Sequence, residues 1–261
     1  MPSPAPAVTF DEVNALVETY YETLGAAGYA SPLPLDPADT VLLLVDVQQH
    51  LTTRALRASL KAVGVYTAEA EPVLEAIDQD LQAALQNIRL VLQACRENGI
   101  RPIHVGIQSL LPEAEDTGAL HKAGGLLYPP GSLDSAFLPE ATPVDGEIVL
   151  TKTCSGAHVG THLDQVLRNL GVQRILVAGF YTDQCISTSV RDLADIGYQV
   201  SLVEDAMGAM SPQRHQHALE SIRKLYANSE TTSELLPRLE TITAARARKK
   251  GLGWLPGRHR N

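Results

Sequence analysis

The chain has 261 residues, 44% of them hydrophobic, which is enough to build one sizeable α/β core. Its net charge of −9 at pH 7 argues against nucleic-acid binding over most of the surface, and its longest apolar runs, such as VLLLV at 41–45, are too short to span a bilayer. Three cysteines at unrelated spacings and a start without a secretory signal pattern indicate a reducing, cytoplasmic compartment.

Residues 1–38 are expected to form an N-terminal helical arm and linker. Pro-rich segments flank a helical pattern near DEVNALVETYYETLGAAG, and its apolar residues share one helical face: Val13, Leu16, Val17, Tyr20 and Tyr21. An arm of this length has little core of its own to cover that face. We expect it to pack on the main domain or on a partner subunit.

Residues 39–240 are expected to form the main domain, in which short apolar strands alternate with amphipathic helices. The strand patterns are VLLLVDV, IRPIHVGI, EIVLTK, QRILVAGF and YQVSLVED. The longest helix begins after Pro72 and ends at the glycine of ENG, and the stretch 108–146 is irregular. Further helices are predicted over THLDQVLRNLG, around Cys185 and over SPQRHQHALESIRKLYA.

This alternation predicts a three-layer α-β-α fold with a mostly parallel, roughly six-stranded, Rossmann-like sheet. Residues 241–261 carry six Lys or Arg and no acid, and they are expected to form a basic C-terminal tail. In sheets of this kind, ligands bind at the carboxyl ends of the strands. The residues that follow the strands are therefore the candidates for a site: Asp46 with Gln48, Gln108, Lys152, the turn 180–185, and Glu204 with Asp205.

Cys185 has two readings on its own. An isolated cysteine is usually a buried core residue. Cys185, however, lies about five residues after a strand and opens a helix, with Thr182 or Asp183 available as the N-cap residue. Free N–H groups and the helix dipole at such a position favour a thiolate and can hold an oxyanion.

Asp46, Lys152 and Cys185 are more informative together than singly. Each ends a strand or follows one closely, so all three are expected at the same edge of one parallel sheet. A carboxylate can accept a thiol proton, and a lysine can stabilise both anions. The set therefore favours nucleophilic catalysis by cysteine.

Four blocks of the sequence resemble the isochorismatase-like cysteine hydrolases, in order and at family spacing. They are VLLLVDVQ, IVLTKTCSGAHVGTHLDQVLRNLGVQRILVAG, YTDQCISTSVRDLADIGYQVSLVEDAM and SPQRHQHALESI. The resemblance runs from about residue 40 to 236. The family includes nicotinamidase, N-carbamoylsarcosine amidohydrolase, ureidoacrylate amidohydrolase and biuret hydrolase.

The resemblance implies a catalytic triad of Asp46, Lys152 and Cys185. It also implies a non-proline cis peptide bond at Phe180–Tyr181 and an oxyanion hole formed by the N–H groups of Tyr181 and Cys185. Members of the family are commonly dimers or tetramers, so a homo-oligomer is expected. The implied activity is hydrolysis of a small amide without a cofactor.

The sequence departs from one branch of this family. Nicotinamidases carry a D-x-H metal motif after the second strand, whereas this chain has GIQSLLPEAE there and no histidine. His158 and His162 are four residues apart, but no HExxH glutamate accompanies them and Gly160 lies between. No metal site is expected.

The expected substrate contacts are Gln48, Gln108, Phe180, Tyr181 and Gln184, with Leu110 and Leu111 nearby. Amide side chains donate and accept hydrogen bonds, which suits a neutral planar group better than a carboxylate. No arginine occurs between Arg101 and Arg168, so the long loop offers no bidentate carboxylate clamp. A small carbamoyl or ureido amide is therefore the expected substrate.

Three other functions stay open at this point. The first is hydrolysis of another carboxamide, as in nicotinamidases. The second is a binding module that keeps the fold without turnover, which the complete triad disfavours. The third is vinyl-ether hydrolysis of the isochorismatase type, which Cys185 disfavours because those enzymes lack the nucleophilic cysteine.

Overall fold

Six parallel strands form one sheet in the order β3-β2-β1-β4-β5-β6. The structure, a computed structural model, describes residues 9–28 and 32–252. The strands are β1 Thr40–Val45, β2 Arg101–Ile107, β3 Ile148–Lys152, β4 Arg174–Phe180, β5 Gln199–Gly208 and β6 Asn228–Glu230. Every neighbouring pair is parallel, so the carboxyl ends of all six strands lie along one edge.

Eight α-helices are found in the described residues. They are α1 Phe10–Gly28, α2 Thr53–Ala62, α3 Glu71–Asn98, α4 Ala119–Ala123, α5 Leu163–Asn169, α6 Ser187–Asp195, α7 Pro212–Ile222 and α8 Thr232–Leu252. A π-helical turn, Thr182–Ile186, leads directly into α6. None of these helices is long and apolar enough to cross a membrane.

The sheet is covered on both faces because its side chains alternate. In β1, Val41, Leu43 and Val45 belong to one hydrophobic cluster and Leu42 and Leu44 to the other. Apolar residues of α5, α6 and α7 complete the first cluster, and those of α3 and α8 complete the second. The predicted three-layer α-β-α fold is confirmed.

The long helix α3 follows its sequence pattern at both ends. Pro72 lies in its first turn, and Gly99 ends it in the left-handed conformation with φ 75°. By contrast, the helix predicted to reach Ala227 ends at Ile222. Lys224 there takes a φ of 66°, and Arg223 forms a bridge with Ala227 instead of continuing the helix.

Two segments outside the family resemblance join the folded domain. Leu33, in the expected linker, is fully buried, and its carbonyl accepts a hydrogen bond from Arg238. Helix α8 continues across residue 240, where the main domain was expected to end. The stretch 108–146 contains α4 and two 3-10 turns, Leu133–Ser135 and Pro139–Ala141.

The arm helix α1 keeps much of its apolar face exposed. Leu16 is 71% exposed and Tyr20 is 58% exposed. A contact with the main domain is the ion pair between Glu18 and Lys224. The basic tail expected at 241–261 lies partly outside the described residues, which end at 252.

Candidate active site

Asp46 follows β1 directly and is almost fully buried. Its φ of 53° lies in the left-handed region, which aspartate tolerates better than most residues. Its N–H donates to the carbonyl of Val105 in β2 at 2.7 Å. The backbone is thus fixed where the carboxylate leaves the strand.

Lys152 is the last residue of β3 and is fully buried. Its Nζ donates to Asp46 Oδ2 at 2.8 Å and to the carbonyl of Cys154 at 3.0 Å, and it lies 3.5 Å from Cys185 Sγ. Burial lowers the pKa of Lys152, but the charge of Asp46 and the Cys185 thiol outweigh burial and raise it. Lys152 is therefore a cation held between the acid and the thiol.

Cys185 lies in the π-helical turn and is 6% exposed. Burial, followed by the Asp46 carboxylate, raises the pKa of this thiol to about 12, although Lys152 acts in the opposite direction. Burial and the Asp46 carboxylate thus oppose the thiolate that the helix terminus was expected to favour, and Lys152 supports it.

The expected N-cap at this turn is also wrong. The residue at the N-cap position is Tyr181, and no side chain caps the turn. Thr182 Oγ1 instead shares a hydrogen bond of 2.7 Å with His215 Nδ1 of α7. Asp183 Oδ2 accepts a hydrogen bond of 2.6 Å from Arg214 Nε of the same helix.

The strand before the turn ends in the expected unusual backbone. The Phe180–Tyr181 peptide bond is cis, as the family resemblance implied. The preceding Gly179 has φ 124°, and a Cβ there would lie 2.1 Å from the carbonyl oxygen of Val45. Only glycine allows β4 and β1 to approach so closely.

A cavity of about 250 Å³ opens beside Asp46 and Cys185. Phe180, Tyr181 and Gln184 line it as predicted. The remaining lining residues were not singled out in the sequence: His50, Leu56, Ser59, Ile107, His121, Leu126, Tyr128 and Met210.

Gln48 and Gln108, two of the expected substrate contacts, do not line this cavity. The Gln48 amide is hydrogen-bonded to main-chain groups: its Nε2 donates to the carbonyls of Ile107 and Ser135, and its Oε1 accepts from the Ile107 N–H. Gln108 donates to Ser135 Oγ. The Gln48 amide therefore joins the 108–146 loop to the end of β2, and the Gln108 amide joins two parts of that loop. Leu110 and Leu111 are exposed outside the cavity.

Four cavity residues that sequence reasoning missed carry polar groups: His50, Ser59, His121 and Tyr128. His50 stacks on Tyr128 with ring centroids 5.0 Å apart, and His121 Nε2 lies 3.3 Å from Ser155 Oγ. His50 stands four residues after Asp46, which is a usable signal because the segment after β1 borders the site. His121 and Tyr128 lie in the irregular loop, where no periodicity indicates which side chains turn inward.

Within the described residues, no three His, Cys, Asp or Glu side chains are grouped so that they could hold a metal ion. His158 and His162 accordingly do not belong to such a group. Asp46 and Cys185 line the cavity, and the buried Lys152 lies beside both of them at the carboxyl edge of a parallel sheet. The three-layer α-β-α fold with these groups at its carboxyl edge is the arrangement expected of the isochorismatase-like hydrolases.

Comparison with known proteins agrees with this class. The model of the isochorismatase domain matches residues 40–234, so the chain belongs to the isochorismatase family and is a hydrolase of that family. It is 26% identical to ureidoacrylate amidohydrolase RutB of Rhizobium rhizogenes, over 72% of this chain and 77% of that protein. It is also 26% identical to maleamate amidohydrolase of Pseudomonas putida, over 77% of this chain and 87% of that protein.

A solved structure shows the same fold. The crystal structure of a cysteine hydrolase from Pseudomonas syringae pv. phaseolicola superposes with a TM-score of 0.64 at 22% identity. The superposition covers 80% of this chain and 96% of the cysteine hydrolase chain. The named relatives are amidohydrolases, which act on non-peptide C–N bonds.

Proposed function

We propose that this protein is a cysteine-dependent amidohydrolase that cleaves a C–N bond of a small carbamoyl or ureido amide through a thioester. One observation carries the proposal: Lys152 Nζ lies 2.8 Å from Asp46 Oδ2 and 3.5 Å from Cys185 Sγ, beside a cavity that Asp46 and Cys185 both line. The amidohydrolase names of the relatives support the C–N bond as the target.

Asp46 is the base in this proposal. Its Oδ2 accepts a hydrogen bond from Lys152, and its Oδ1 has no donor among the described residues. Oδ1 is therefore the carboxylate oxygen that is free to accept the thiol proton. Because burial and the Asp46 carboxylate favour the protonated thiol, a base is needed to form the attacking thiolate.

The proposed reaction has two halves. Cys185 Sγ loses its proton to Asp46 and attacks the amide carbonyl, and the N–H groups of Tyr181 and Cys185 stabilise the tetrahedral oxyanion. The C–N bond breaks as Asp46 returns the proton to the leaving nitrogen, which departs as ammonia or an amine. Water, deprotonated by Asp46, then attacks the thioester, and the released thiol recovers its proton.

The test is a screen for ammonia release with carbamoyl, ureido and carboxamide compounds. Substitution Cys185→Ala should abolish release, whereas Cys95→Ala, in the core and outside the cavity lining, should retain it. Intact-mass spectrometry with a slow substrate should show an acyl adduct on Cys185. Full activity of the Cys185→Ala variant would disprove the proposal, and strong preference for nicotinamide would assign the chain to the other carboxamide branch.

A further inference from the structure

We propose that the cavity selects an uncharged amide, with His50, His121 and Tyr128 recognising the part of the substrate beyond the scissile carbonyl. This inference rests on the proposed function and adds the charge class of the substrate. It concerns residues other than the glutamines to which the sequence pointed.

The charge balance of the cavity is the first support. Its lining contains no arginine, and Lys152 is already bound to Asp46. Burial lowers the pKa of His50, and burial together with the Lys152 charge lowers the pKa of His121. Lower pKa values favour neutral imidazoles at pH 7, so the described lining residues offer no cation to a substrate carboxylate.

The shape of one wall is the second support. The His50 and Tyr128 rings are stacked on each other with an interplanar angle of 26°, and both residues line the cavity. The backbone of Tyr128 is fixed because its carbonyl accepts from both the N–H and the hydroxyl of Ser109. Burial raises the pKa of Tyr128, so its hydroxyl keeps the proton and remains a donor.

The rest of the lining is largely apolar. Aliphatic and aromatic side chains from five different segments face the same space: Leu56, Ile107, Leu126, Phe180 and Met210. A carboxylate placed here loses its water without gaining a counter-ion, and such uncompensated burial is strongly unfavourable. A neutral carbonyl or amide needs only the donors and acceptors that Tyr128 and the two neutral histidines supply.

A matched substrate pair tests the inference. N-carbamoylglycinamide and N-carbamoylglycine share the ureido group and differ in whether the far end is a carboxamide or a carboxylate. We expect kcat/KM to favour the carboxamide by at least about 100-fold, the range found when a site leaves a buried polar or charged group unpaired. A preference for the carboxylate would overturn the inference and leave the proposed amidase function intact.

A gain-of-function variant sharpens the test. Leu126→Arg places a cation at the cavity lining and should raise kcat/KM for the carboxylate at least about 10-fold. Leu127→Arg is the control, because Leu127 is the next residue, is also exposed and lies outside the lining. Equal gains in both variants would contradict a role for the cavity charge.

Binding measurements test the charge selectivity of the cavity independently of the proposed hydrolysis. In Cys185→Ser, calorimetry should detect the carboxamide and show the carboxylate at least about tenfold weaker, and Tyr128→Phe should weaken only the carboxamide. Tighter binding of the carboxylate would overturn the inference whether or not turnover occurs. If the unsubstituted protein hydrolysed neither compound while Cys185→Ser bound the carboxamide selectively, the proposed hydrolysis would be refuted and the proposed selectivity would stand.

Discussion

At the scale of single residues, the site is an electrostatic balance around one thiol. Burial raises the pKa of the Cys185 thiol most, the Asp46 carboxylate raises it further, and Lys152 lowers it. Removing Asp46 should therefore increase the reactivity of the thiol, and removing Lys152 should decrease it. Both removals should impair turnover. This contrast distinguishes a base and a cation from two residues that merely pack.

We expect Asp46→Asn to lower turnover by about 100- to 10,000-fold, the usual contribution of a general base. The same change should increase the rate of iodoacetamide alkylation at Cys185, because loss of the carboxylate lowers the thiol pKa and enlarges the thiolate fraction. In both proteins alkylation should accelerate as the pH rises from 7 to 10. Peptide mass spectrometry measures the rate at this cysteine.

Lys152→Met should have the opposite effect on alkylation, since the cation that lowers the thiol pKa is gone. It also leaves Asp46 buried without its partner, at a cost of about 3–5 kcal/mol in the free energy of unfolding. Asp183→Asn, in the same turn but paired with the exposed Arg214, is the control. Parallel changes in Asp46→Asn and Lys152→Met would refute this electrostatic account.

The sequence identifies the residues of this balance but not the cavity around it. Asp46 and Lys152 end strands and Cys185 follows one, so parallel topology alone brings them to one edge. Gln48 looked equally suitable, yet main-chain groups of Ile107 and Ser135 consume its amide. Such long-range partners depend on how a loop folds back, and sequence spacing does not reveal that.

At the scale of elements, α7 holds the turn that carries Cys185. Thr182 is fully buried and bonded to His215, and the next residue, Asp183, is bonded to Arg214. The turn is π-helical, a geometry that recurs at functional sites and needs outside support. We therefore expect His215 to position the cysteine through Thr182.

Thr182→Val and His215→Ala should each reduce kcat by about 10- to 100-fold with little change in KM, because a small displacement of Sγ misaligns attack. The double variant should be little worse than either single one, since both remove the same hydrogen bond. His215→Asn and Thr182→Ser, which can restore it, should recover most of the rate.

Arg214→Ala is the control for this hydrogen bond, because its ion pair with Asp183 is more exposed. Melting temperatures should be measured alongside the kinetics. Lower melting temperatures with unchanged kcat would mean that His215 stabilises the fold without positioning the cysteine.

Elements were predictable where their pattern is strongly periodic. The apolar strands and α3 have such patterns, and the left-handed Gly99 ends α3 as expected. Strand β6 contains only Asn228–Glu230 and is recognisable only by its pairing with β5. Helix α8 contains Pro237, which argues locally against a helix, but Leu235 and Leu239 pack into the core and decide the outcome.

At the scale of the whole molecule, the exposed face of α1 remains to be covered. We propose that the protein is a homo-oligomer in which this face contributes to the interface. Deleting residues 1–31, which spares the buried Leu33, should reduce the sedimentation coefficient to that of a smaller assembly. The physical reason is that Leu16 and Tyr20 expose apolar surface that association would bury.

Leu16→Glu together with Tyr20→Glu should reproduce the effect of the deletion on sedimentation. Ala15→Glu, on the opposite face of α1, should leave the assembly unchanged. If the deletion alters neither sedimentation nor melting, the arm has no part in an interface.

The order of the strands has one more consequence. Lys152 ends β3, which pairs only with β2, and edge elements open at a lower free-energy cost than central ones. Glu147, just before this strand, helps to anchor it. Its Oε1 lies 2.7 Å from Arg96 Nε, and its Oε2 lies 2.9 Å from His104 Nε2. Opening of this peripheral strand alone would move Lys152 away from Asp46 and Cys185, so activity would be lost while the interior of the protein was still folded.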